Sequence, residues 1–322
     1  MHYLITGGAG FIGSHLTERL LRADHRVTIL DNLSTGRYEN IAGMEKYPGL
    51  RFIKDSVLHT EVVEMVVREC DQVFHLASAV GVKLIMERPV QTIESIFQGT
   101  DAVLNVAARY RKRFLLTSTS EVYGKSEDIP FREDGDRLEG PTHKHRWAYA
   151  AAKALDEFLA LAHWKESRLP VVVVRLFNTV GPRQSGQYGM VLPNFVTSAL
   201  AGRELLVHGD GTQQRCFCHV KDVVTALAGL MESPQAAGEV FNVGSTFEIT
   251  IRQLAELVVR RTQSSSPIRL VPYQQAYGSG FEDMKRRVPS TKKIHSLIGW
   301  QPCLSLEQIV DDVIADKRNS LD

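Results

Sequence analysis

Two short segments of the chain carry side chains whose types and spacing could perform acid–base chemistry. They run from Thr117 to Gly124 (TSTSEVYG) and from Tyr149 to Lys153 (YAAAK). The spacing of Tyr149 and Lys153 places both on one face of a helix. A tyrosine hydroxyl with its ordinary pKa of about 10 is a poor base at neutral pH, but a neighbouring ammonium stabilises the phenolate. The second segment therefore predicts a general base, Tyr149, that Lys153 activates.

The first segment supplies groups that could orient a substrate oxygen. Thr119 follows a run of apolar and β-branched residues, so it lies near the carboxyl end of a predicted strand. In an extended chain, Thr119 and Glu121 point to the same side. The hydroxyl of Thr119 could then hydrogen-bond the same substrate oxygen as Tyr149, while Lys153 could also hold a cofactor ribose.

A glycine-rich run follows the first predicted strand and opens the first predicted helix. It reads TGGAGFIG from Thr6 to Gly13. The glycines keep the turn tight, let the backbone approach a pyrophosphate and let the helix pack on the sheet. The run predicts a dinucleotide site, and its contact residues are Gly7, Gly10, Phe11, Ile12 and Gly13.

An acidic residue ends the second predicted strand, about 20 residues after the glycines, where a carboxylate hydrogen-bonds the adenosine ribose. This residue is Asp31, which Asn32 follows. A carboxylate there repels a ribose 2′-phosphate, so the predicted cofactor is NAD rather than NADP. Arg37 is interpreted as a loop charge in solvent. Asp55, after the third strand, is either an adenine contact or a turn residue that ends the strand.

These segments need a scaffold that brings the ends of several strands together. In the first half, short β-branched runs alternate with amphipathic stretches, which argues for an α/β fold with a Rossmann-type, doubly wound parallel sheet. Ligands of such sheets bind at the carboxyl ends of the strands. The predicted strands are Tyr3–Thr6, Arg26–Leu30, Leu50–Ile53, Gln72–His75, Phe114–Thr117 and Val171–Arg175, and the predicted helices lie near 12–22, 60–69, 90–110 and 148–164.

The alternation of predicted strands and helices changes near residue 178, where glycines and polar residues interrupt it. Helices predicted near 190–201, 220–232, 250–262 and 304–315 alternate with loops and short strands. We predict a cofactor domain over 1–177 and a smaller, mixed α/β substrate domain over 178–322, with part of 220–250 returning to the first. The Gly-rich, charged region 272–289 is predicted to be a long functional loop.

Composition excludes several classes of protein. The 322 residues include 38 Lys and Arg against 37 Asp and Glu, a formal net charge of +1, which argues against a polybasic nucleic-acid binder. The four cysteines have no metal-ligand spacing, so they are interpreted as core residues in a reducing compartment. The chain opens directly on a strand pattern, which leaves no room for a signal peptide. We expect a cytoplasmic protein with no metal, membrane or nucleic-acid partner.

Together, these motifs resemble the extended short-chain dehydrogenases/reductases that act as nucleotide-sugar epimerases, dehydratases and decarboxylases. Further matching segments begin at His75 (HLASA), Arg175 (RLFNTVGPR), Gly209 (GDGTQQR) and Gly299 (GWQP). The resemblance covers essentially the whole chain. It implies NAD as cofactor, a nucleotide-sugar substrate, cofactor contacts at Leu76 and Ala77, and a homodimer built on the helices near 90–110 and 148–164.

Within that group the chain resembles the UDP-glucuronic acid decarboxylases, especially the bacterial lipid A-modifying decarboxylase and the plant UDP-apiose/UDP-xylose synthases. The matching segments begin at Tyr110 (YRKR), Arg146 (RWAY), Gln214 (QRCF), Tyr277 (YGSGFED) and Arg286 (RRVP). The resemblance implies catalytic roles for Glu121 and Arg287. Ser120 stands where dTDP-glucose 4,6-dehydratases carry Asp, which argues against their activity, whereas GDP-mannose 4,6-dehydratases share the Ser-Glu pair.

The resemblance also implies residues that bind the substrate. Ser120 is expected to contact the substrate, and Asn178, Asn194 and Arg215 match positions that hold the nucleotide diphosphate or base in that group. A guanidinium suits a pair of phosphate oxygens. Arg287 accordingly has two candidate roles, as a diphosphate clamp or as a partner in carboxylate binding and proton transfer.

The chain departs from the decarboxylase pattern at two places. Ile85 stands where a Tyr is usual, and Ile96 stands where many members of the group carry Asn. Lys83 could supply the missing polar contact, but it is interpreted as a loop charge in solvent. The favoured function is decarboxylation of UDP-glucuronate through C4 oxidation, loss of CO2 and reduction. The alternative is a 4-epimerase of UDP-glucuronate or UDP-glucose. A 4,6-dehydratase and a non-catalytic dinucleotide-binding protein are further alternatives.

Overall fold

The computed structural model describes residues 1–78, 88–187, 189–277 and 284–319. The strands are β1 His2–Thr6, β2 Arg26–Leu30, β3 Leu50–Ile53, β4 Gln72–His75, β5 Arg113–Thr119, β6 Val171–Leu176, β7 Thr179–Val180, β8 Leu205–His208, β9 Gln214–Cys216, β10 Cys218–His219, β11 Glu239–Val243, β12 Glu248–Thr250 and β13 Ile268–Val271. The α-helices are α1 Phe11–Arg22, α2 Glu39–Ala42, α3 Thr60–Glu69, α4 Pro89–Arg109, α5 Ala148–Ser167, α6 Val191–Leu200, α7 Val220–Glu232, α8 Ile251–Thr262, α9 Tyr273–Tyr277, α10 Lys292–Ile298 and α11 Leu306–Asn319. Three short 3-10 helices cover Ser120–Tyr123, His145–Trp147 and Pro234–Ala236.

A seven-stranded sheet in the order β11-β6-β5-β4-β1-β2-β3 forms the centre of the molecule. All of its neighbouring strands run parallel. The predicted α/β class with a Rossmann-type parallel sheet is therefore confirmed. The six predicted strands are present, and β5 extends beyond the predicted Thr117 to Thr119. The seventh strand, β11, comes from far along the chain and pairs with β6, where Val240 faces Val173.

Both faces of this sheet are covered by helices. Tyr3 and Ile5 of β1 belong to the core under α1 and α7, whereas Leu4 belongs to the core under α3 and α4. Successive residues of a strand point to opposite faces, so burial of both faces requires strands that are apolar at nearly every position. This is why the strand runs in the sequence are nearly continuous apolar segments rather than alternating ones.

A second core lies in the carboxyl-terminal half, where α6, α8 and α11 pack around β8. The predicted boundary between residues 177 and 178 stays a prediction, as does the domain division as a whole. Strand β11 joins the edge of the large sheet, and α7 packs against α1. No helix in the described ranges combines the length and the apolar character needed to cross a membrane. Nor do three or more His, Cys, Asp or Glu side chains of these residues converge as a metal site requires.

Candidate active site

The chain turns sharply at the end of β5. Thr119 is extended (φ −142°, ψ 150°), and the 3-10 helix Ser120–Tyr123 begins directly after it. The predicted extended chain from Thr119 to Glu121 is therefore wrong, because the strand ends at Thr119. Instead, the Oγ1 atom of Thr119 accepts a hydrogen bond of 3.2 Å from the backbone N–H of Glu121. The hydroxyl thus fixes the turn on which the carboxylate stands.

Glu121 and Arg287, which lie far apart in the sequence, form an ion pair in the structure. The Nη1 atom of Arg287 lies 2.5 Å from Oε1 of Glu121, and the two side chains are only 10% and 11% exposed. Ser120 is buried beside them. The two residues for which the resemblance implies catalysis are therefore brought together in a weakly hydrated place, where a charge acts more strongly than in water.

A backbone bridge holds the Arg287 segment in position. The N–H of Phe131 donates to the carbonyl of Val288 at 2.8 Å, and the N–H of Ser290 donates to the carbonyl of Phe131 at 2.8 Å. The side-chain amide of Asn242 on β11 also donates to the carbonyl of Phe131 at 2.9 Å. The position of Arg287 therefore depends on β11 and on the loop after the 3-10 helix.

Tyr149 and Lys153 lie near the start of α5, and this helix packs against β5 and against the 3-10 helix Ser120–Tyr123. Both side chains are buried. Tyr149 packs with Ile96 and Ala152, so the departure at Ile96 gives the tyrosine an apolar neighbour. The helix and the turn after β5 thus place the predicted base beside the segment that carries Thr119.

A buried ion pair fastens α5 to the sheet. The guanidinium of Arg175 on β6 donates to both carboxylate oxygens of Glu157 on α5, at 2.8 Å from Nη2 to Oε2 and 3.1 Å from Nε to Oε1. Its Nη1 donates to the hydroxyl of Tyr123 at 2.9 Å. The sequence placed Arg175 at the end of a predicted strand and at the start of a segment that resembles the family, but it did not predict this ion pair. The pair joins β6 to α5, and Arg175 also contacts the 3-10 helix. Burial lowers the pKa of Arg175, but the carboxylate of Glu157 and the hydroxyl of Tyr123 raise it above its usual range.

The glycine-rich turn has the shape that a pyrophosphate site needs. Gly7 has φ +72°, and a Cβ atom there would lie 2.8 Å from the backbone N of Ala77. A Cβ atom on Gly13 would lie 2.2 Å from the carbonyl oxygen of Gly7. Helix α1 begins after Gly10 with no side-chain cap, so the amides of its first turn, at Phe11, Ile12 and Gly13, point out of the helix end. These features fit an anionic dinucleotide.

Asp31 lies against this turn at the end of β2. Its Oδ2 accepts from the N–H of Ala9 at 3.0 Å, and its Oδ1 accepts from the N–H of Leu33 at 2.8 Å. Burial raises the pKa of this carboxyl group although these hydrogen bonds lower it. Asn32 and Arg37 are exposed. The structure therefore joins the acid to the glycine-rich turn, as a ribose contact requires.

Asp55 lies in a turn after β3, whereas Leu76 and Ala77, which follow β4, contact the end of β1. Asp55 accepts from the N–H of Ser56 at 2.6 Å and pairs with His59 at 2.5 Å, ahead of α3. Hydrogen bonds from Ser56 and then His59 lower its pKa, so these contacts favour its interpretation as a turn residue. Leu76 and Ala77 donate their N–H groups to the carbonyl and the hydroxyl of Thr6, at 3.1 and 3.3 Å, which ties the end of β4 to the end of β1.

The residues expected to bind the substrate are spread over the second half of the chain. The amide of Asn178 donates to the carbonyl of Cys216 at 3.1 Å. The guanidinium of the buried Arg215 donates to the carbonyl of Gln214 at 2.8 Å. The backbone N–H of Gln214 donates in turn to the carbonyl of Lys285, two residues before Arg287, at 2.9 Å. Strand β9 thus joins the Asn178, Arg215 and Arg287 segments.

Asn194 lies on the exposed side of α6. Its Oδ1 lies close to Gly186, since a Cβ atom on Gly186 would lie 2.2 Å from it. Several sequence predictions lie outside the described residues. These are Lys83 and Ile85, most of the YGSGFED segment from residue 278 to 283, and with it the centre of the predicted loop 272–289. The loop begins with the short helix α9.

Asp156 is a residue of the site that sequence reasoning missed. Its Oδ2 lies 2.8 Å from Nζ of Lys153, and both side chains are almost completely buried. An aspartate on an amphipathic helix usually faces solvent, so its type alone gave no signal. The available signal was its spacing, since a residue three positions after Lys153 lies on the same face of α5.

The sequence and the fold are similar to those of known proteins. A family profile described as GDP-mannose 4,6 dehydratase matches residues 4–313. The UDP-N-acetyl-alpha-D-glucosaminuronate decarboxylase of Bacillus cytotoxicus is 42% identical over 97% of this chain and 96% of its own length. The UDP-glucuronic acid decarboxylase 1 of Danio rerio is 37% identical over 97% of this chain and 71% of its own length. The crystal structure of the Thermus thermophilus UDP-glucose 4-epimerase in complex with NAD has a TM-score of 0.87 and 28% identity, covering 99% of this chain and 100% of that one.

Proposed function

The chain belongs to the GDP-mannose 4,6-dehydratase family of extended short-chain dehydrogenases/reductases, and on this premise we propose that it is an NAD-dependent decarboxylase of UDP-linked uronic acids. The buried Glu121–Arg287 pair carries the proposal, because it adds a carboxylate and a guanidinium to the Tyr149–Lys153 pair. UDP-glucuronate is the first substrate. UDP-N-acetylglucosaminuronate is the second, because the relative at 42% identity is named for it.

The residues of the first strand–helix unit would hold the cofactor. The amides of Phe11, Ile12 and Gly13 would bind the pyrophosphate, Asp31 would accept from the adenosine ribose and Lys153 would hold the other ribose. NAD, when bound, accepts a hydride from C4 of the sugar and later returns it. All other steps use groups of the chain and of the substrate.

Tyr149 and Thr119 act on the C4 oxygen of the sugar. Tyr149, assisted by the charge of Lys153, removes the hydroxyl proton as C4 is oxidised. The product is a β-keto acid, in which the C5–C6 bond breaks and its electron pair moves into a C4–C5 enolate while C6 leaves as CO2. The hydroxyls of Tyr149 and Thr119 stabilise the negative oxygen that forms at C4.

Glu121 and Arg287 act at the neighbouring carbon. Arg287 offers the guanidinium that binds the substrate carboxylate before it leaves. Glu121 orients the water that delivers a proton to C5, which completes the replacement of the carboxyl group by hydrogen. Because the two side chains lie 2.5 Å apart, the carboxylate would be bound and C5 would be protonated at the same place.

Epimerisation at C4 is the alternative, favoured by the likeness to the UDP-glucose 4-epimerase structure. The same Tyr149, Lys153 and Thr119 would oxidise C4, and the hydride would return to the opposite face of the ring without loss of CO2. This alternative gives no proton-transfer role to Glu121, whereas Arg287 would still bind the diphosphate or the carboxylate of UDP-glucuronate.

Product mass distinguishes the two functions. The protein is incubated with NAD and, separately, with UDP-glucuronate and UDP-N-acetylglucosaminuronate, and the products are identified by mass spectrometry. We expect a product lighter by one CO2 from at least one of them. A product of unchanged mass with a new retention time indicates the epimerase, and absence of turnover of both uronates would contradict the decarboxylase and the UDP-glucuronate 4-epimerase; UDP-glucose, incubated in the same way, tests the UDP-glucose 4-epimerase.

We expect NAD to bind at least about tenfold more tightly than NADP, the equivalent of about 1.4 kcal/mol. The reason is that Asp31, next to the glycine-rich turn, repels a 2′-phosphate and loses a ribose hydroxyl as hydrogen-bond donor. Fluorescence titration with both cofactors measures the ratio. Asp31→Asn should reduce it, whereas Arg37→Ala, at an exposed loop charge, should not. Equal or tighter binding of NADP to the unchanged protein would refute the assignment.

The oligomer that we propose is a homodimer through α4 and α5. Apolar side chains stand exposed on both helices, where water would otherwise contact them. They are Val90 and Ile93 on α4 and Leu155 and Phe158 on α5. The two helices pack against each other within one chain, so a second copy could complete a four-helix interface.

Substitution of Phe158 by Asp should convert the dimer to a monomer, because it places a charge in the centre of an apolar interface. Phe158 is 65% exposed in the single chain. Light scattering at micromolar concentration measures the mass. Phe247→Asp is the control, since Phe247 is 63% exposed but lies beside β12, away from α4 and α5. A monomeric unchanged protein would disprove the proposed dimer.

A cytoplasmic location is the last part of the proposal. All four cysteines are free thiols. Cys70, Cys216 and Cys218 are buried, but Cys303 is exposed, so its interpretation as a core residue is wrong. An exposed free thiol suits a reducing compartment.

A further inference from the structure

We propose that Asp156 is a positioning residue that holds the ammonium of Lys153 in place and keeps it charged. The inference deepens the proposed function and rests on it, because it concerns the group that would activate Tyr149. Asp156 would not itself touch substrate or cofactor. It would act only through Lys153.

The carboxylate of Asp156 is in direct contact with the ammonium of Lys153. Asp156 is completely buried, and its Oδ2 accepts from Nζ of Lys153 at 2.8 Å and from the hydroxyl of Thr100 at 2.9 Å. Lys153 itself is only 2% exposed. An ammonium taken out of water is strongly disfavoured unless an opposite charge lies beside it. The carboxylate of Asp156 supplies that charge.

A chain of hydrogen bonds leads from the cofactor turn to this carboxylate. Burial lowers the pKa of His75 to about 3, so its imidazole is neutral and carries one N–H. Because the hydroxyl of Thr100 donates to Asp156, its oxygen accepts from Nε2 of His75 at 3.2 Å. Nδ1 of His75 then accepts from the hydroxyl of Thr6 at 2.8 Å, and Thr6 accepts from the N–H of Ala77 at 3.3 Å.

Every donor in this chain points toward Asp156, which is its terminal acceptor. The chain starts at the ends of β1 and β4, where Ala77 also contacts the glycine-rich turn. Lys153 is therefore located by the sheet that forms the cofactor site. A lysine fixed in this way presents its charge to Tyr149 before any ligand binds.

The other charged groups around Asp156 do not replace it. Glu157 on the same helix pairs with Arg175. Burial, the largest cause, and the charge of Glu157 raise the pKa of Asp156, whereas Lys153 lowers it. From β4 the neutral His75 faces the site, and from α4 the hydroxyl of Thr100 does. Among these groups Asp156 is the carboxylate that contacts Lys153.

Removal of the carboxylate charge should therefore weaken Tyr149 as a base. In Asp156→Asn, Lys153 would lose its counter-charge and much of its own charge in the buried site. The phenolate of Tyr149 should then form at higher pH, by roughly one unit, with hydride transfer at neutral pH about tenfold slower. Tyr149 is in an apolar cluster with Ile96 and Ala152, so the change in potential is weakly screened.

The test is a pH titration of phenolate absorbance in the NAD-loaded protein without sugar nucleotide. The contribution of Tyr149 is the difference between each protein and its Tyr149→Phe counterpart. We expect the upward shift in Asp156→Asn and in Asp156→Ser, which also removes the charge but is smaller. The acid limb of NAD reduction, followed in a single turnover with UDP-glucuronate, should move by the same amount.

Asp101→Asn is the matched control, because Asp101 is next to Thr100 on α4 but its carboxylate accepts from Asn105. It should leave the titration unchanged. An unshifted or lowered titration in Asp156→Asn, or loss of folding in both Asp156 variants, would overturn the proposal and leave Asp156 a purely structural residue. Since the phenolate titration needs no sugar nucleotide, its failure is distinguishable from a wrong substrate class.

Discussion

Tyr149→Phe should slow the first hydride transfer by at least about 100-fold, the usual minimum for loss of a general base. The substitution removes the hydroxyl that takes the C4 proton, while the ring keeps its packing against Ile96 and Ala152. The fold should therefore be preserved, as circular dichroism can check. NADH absorbance after rapid mixing with UDP-glucuronate measures the rate directly.

A matched control is available for this variant. The hydroxyl of Tyr110 at the end of α4 donates to Glu64 at 2.8 Å, on a different part of the surface. Tyr110→Phe should leave hydride transfer unchanged. If Tyr149→Phe reduced NAD within about tenfold of the normal rate, the loss would be smaller than general-base catalysis contributes, and another group would have to be the base.

Glu121→Gln should separate oxidation from the later steps. Glutamine keeps the shape of the side chain but removes the charge that lies 2.5 Å from the guanidinium of Arg287. Bound NAD should still be reduced by UDP-glucuronate at close to the normal rate. Formation of the final product should fall about 100-fold or more, because Glu121 no longer orients the water that protonates C5 after CO2 has left. NADH absorbance and product formation, followed side by side, distinguish these steps.

The neighbouring pair of the same type provides the control. Arg286 pairs with Glu248 at 2.7 Å, and this pair is more exposed. Glu248→Gln should affect neither step. If Glu121→Gln also left NADH formation and product release unchanged, the decarboxylase would lose its main structural support, and the 4-epimerase would become the better hypothesis.

Local patterns in the sequence were enough to predict the scaffold and the family. The glycine-rich turn and the repeated strand and helix patterns depend on neighbouring residues, so they can be read from spacing. The confirmed parallel sheet and the confirmed membership of the extended short-chain dehydrogenase/reductase family follow from such patterns. The placement of Tyr149 and Lys153 on one face of a helix was predictable for the same reason, since it depends only on their spacing of four residues.

Contacts between distant segments could not be predicted in this way. Arg287 reaches Glu121 only because Phe131 holds the chain on both sides of Pro289, and no local pattern encodes that bridge. The 3-10 helix that begins at Ser120 was likewise not predicted, because the sequence suggested that the chain stays extended there. Arg175 is a charged residue whose burial depends on Glu157 in another element, so its type suggested solvent rather than the interior. Asp156 differs, because its partner Lys153 lies on the same helix and their spacing was a local signal.

The return of the chain to the sheet at β11 has a consequence for synthesis in the cell. Strand β6 consists of four valines followed by Arg175 and Leu176, and its outer edge is covered only when β11 pairs with it. Until residue 243 has left the ribosome, this apolar edge offers unpaired amide and carbonyl groups to any other strand. Such an edge is a template for aggregation. The nascent chain therefore passes through a stage at which a chaperone would protect it, and a fragment that ends at residue 177 would keep that edge permanently open.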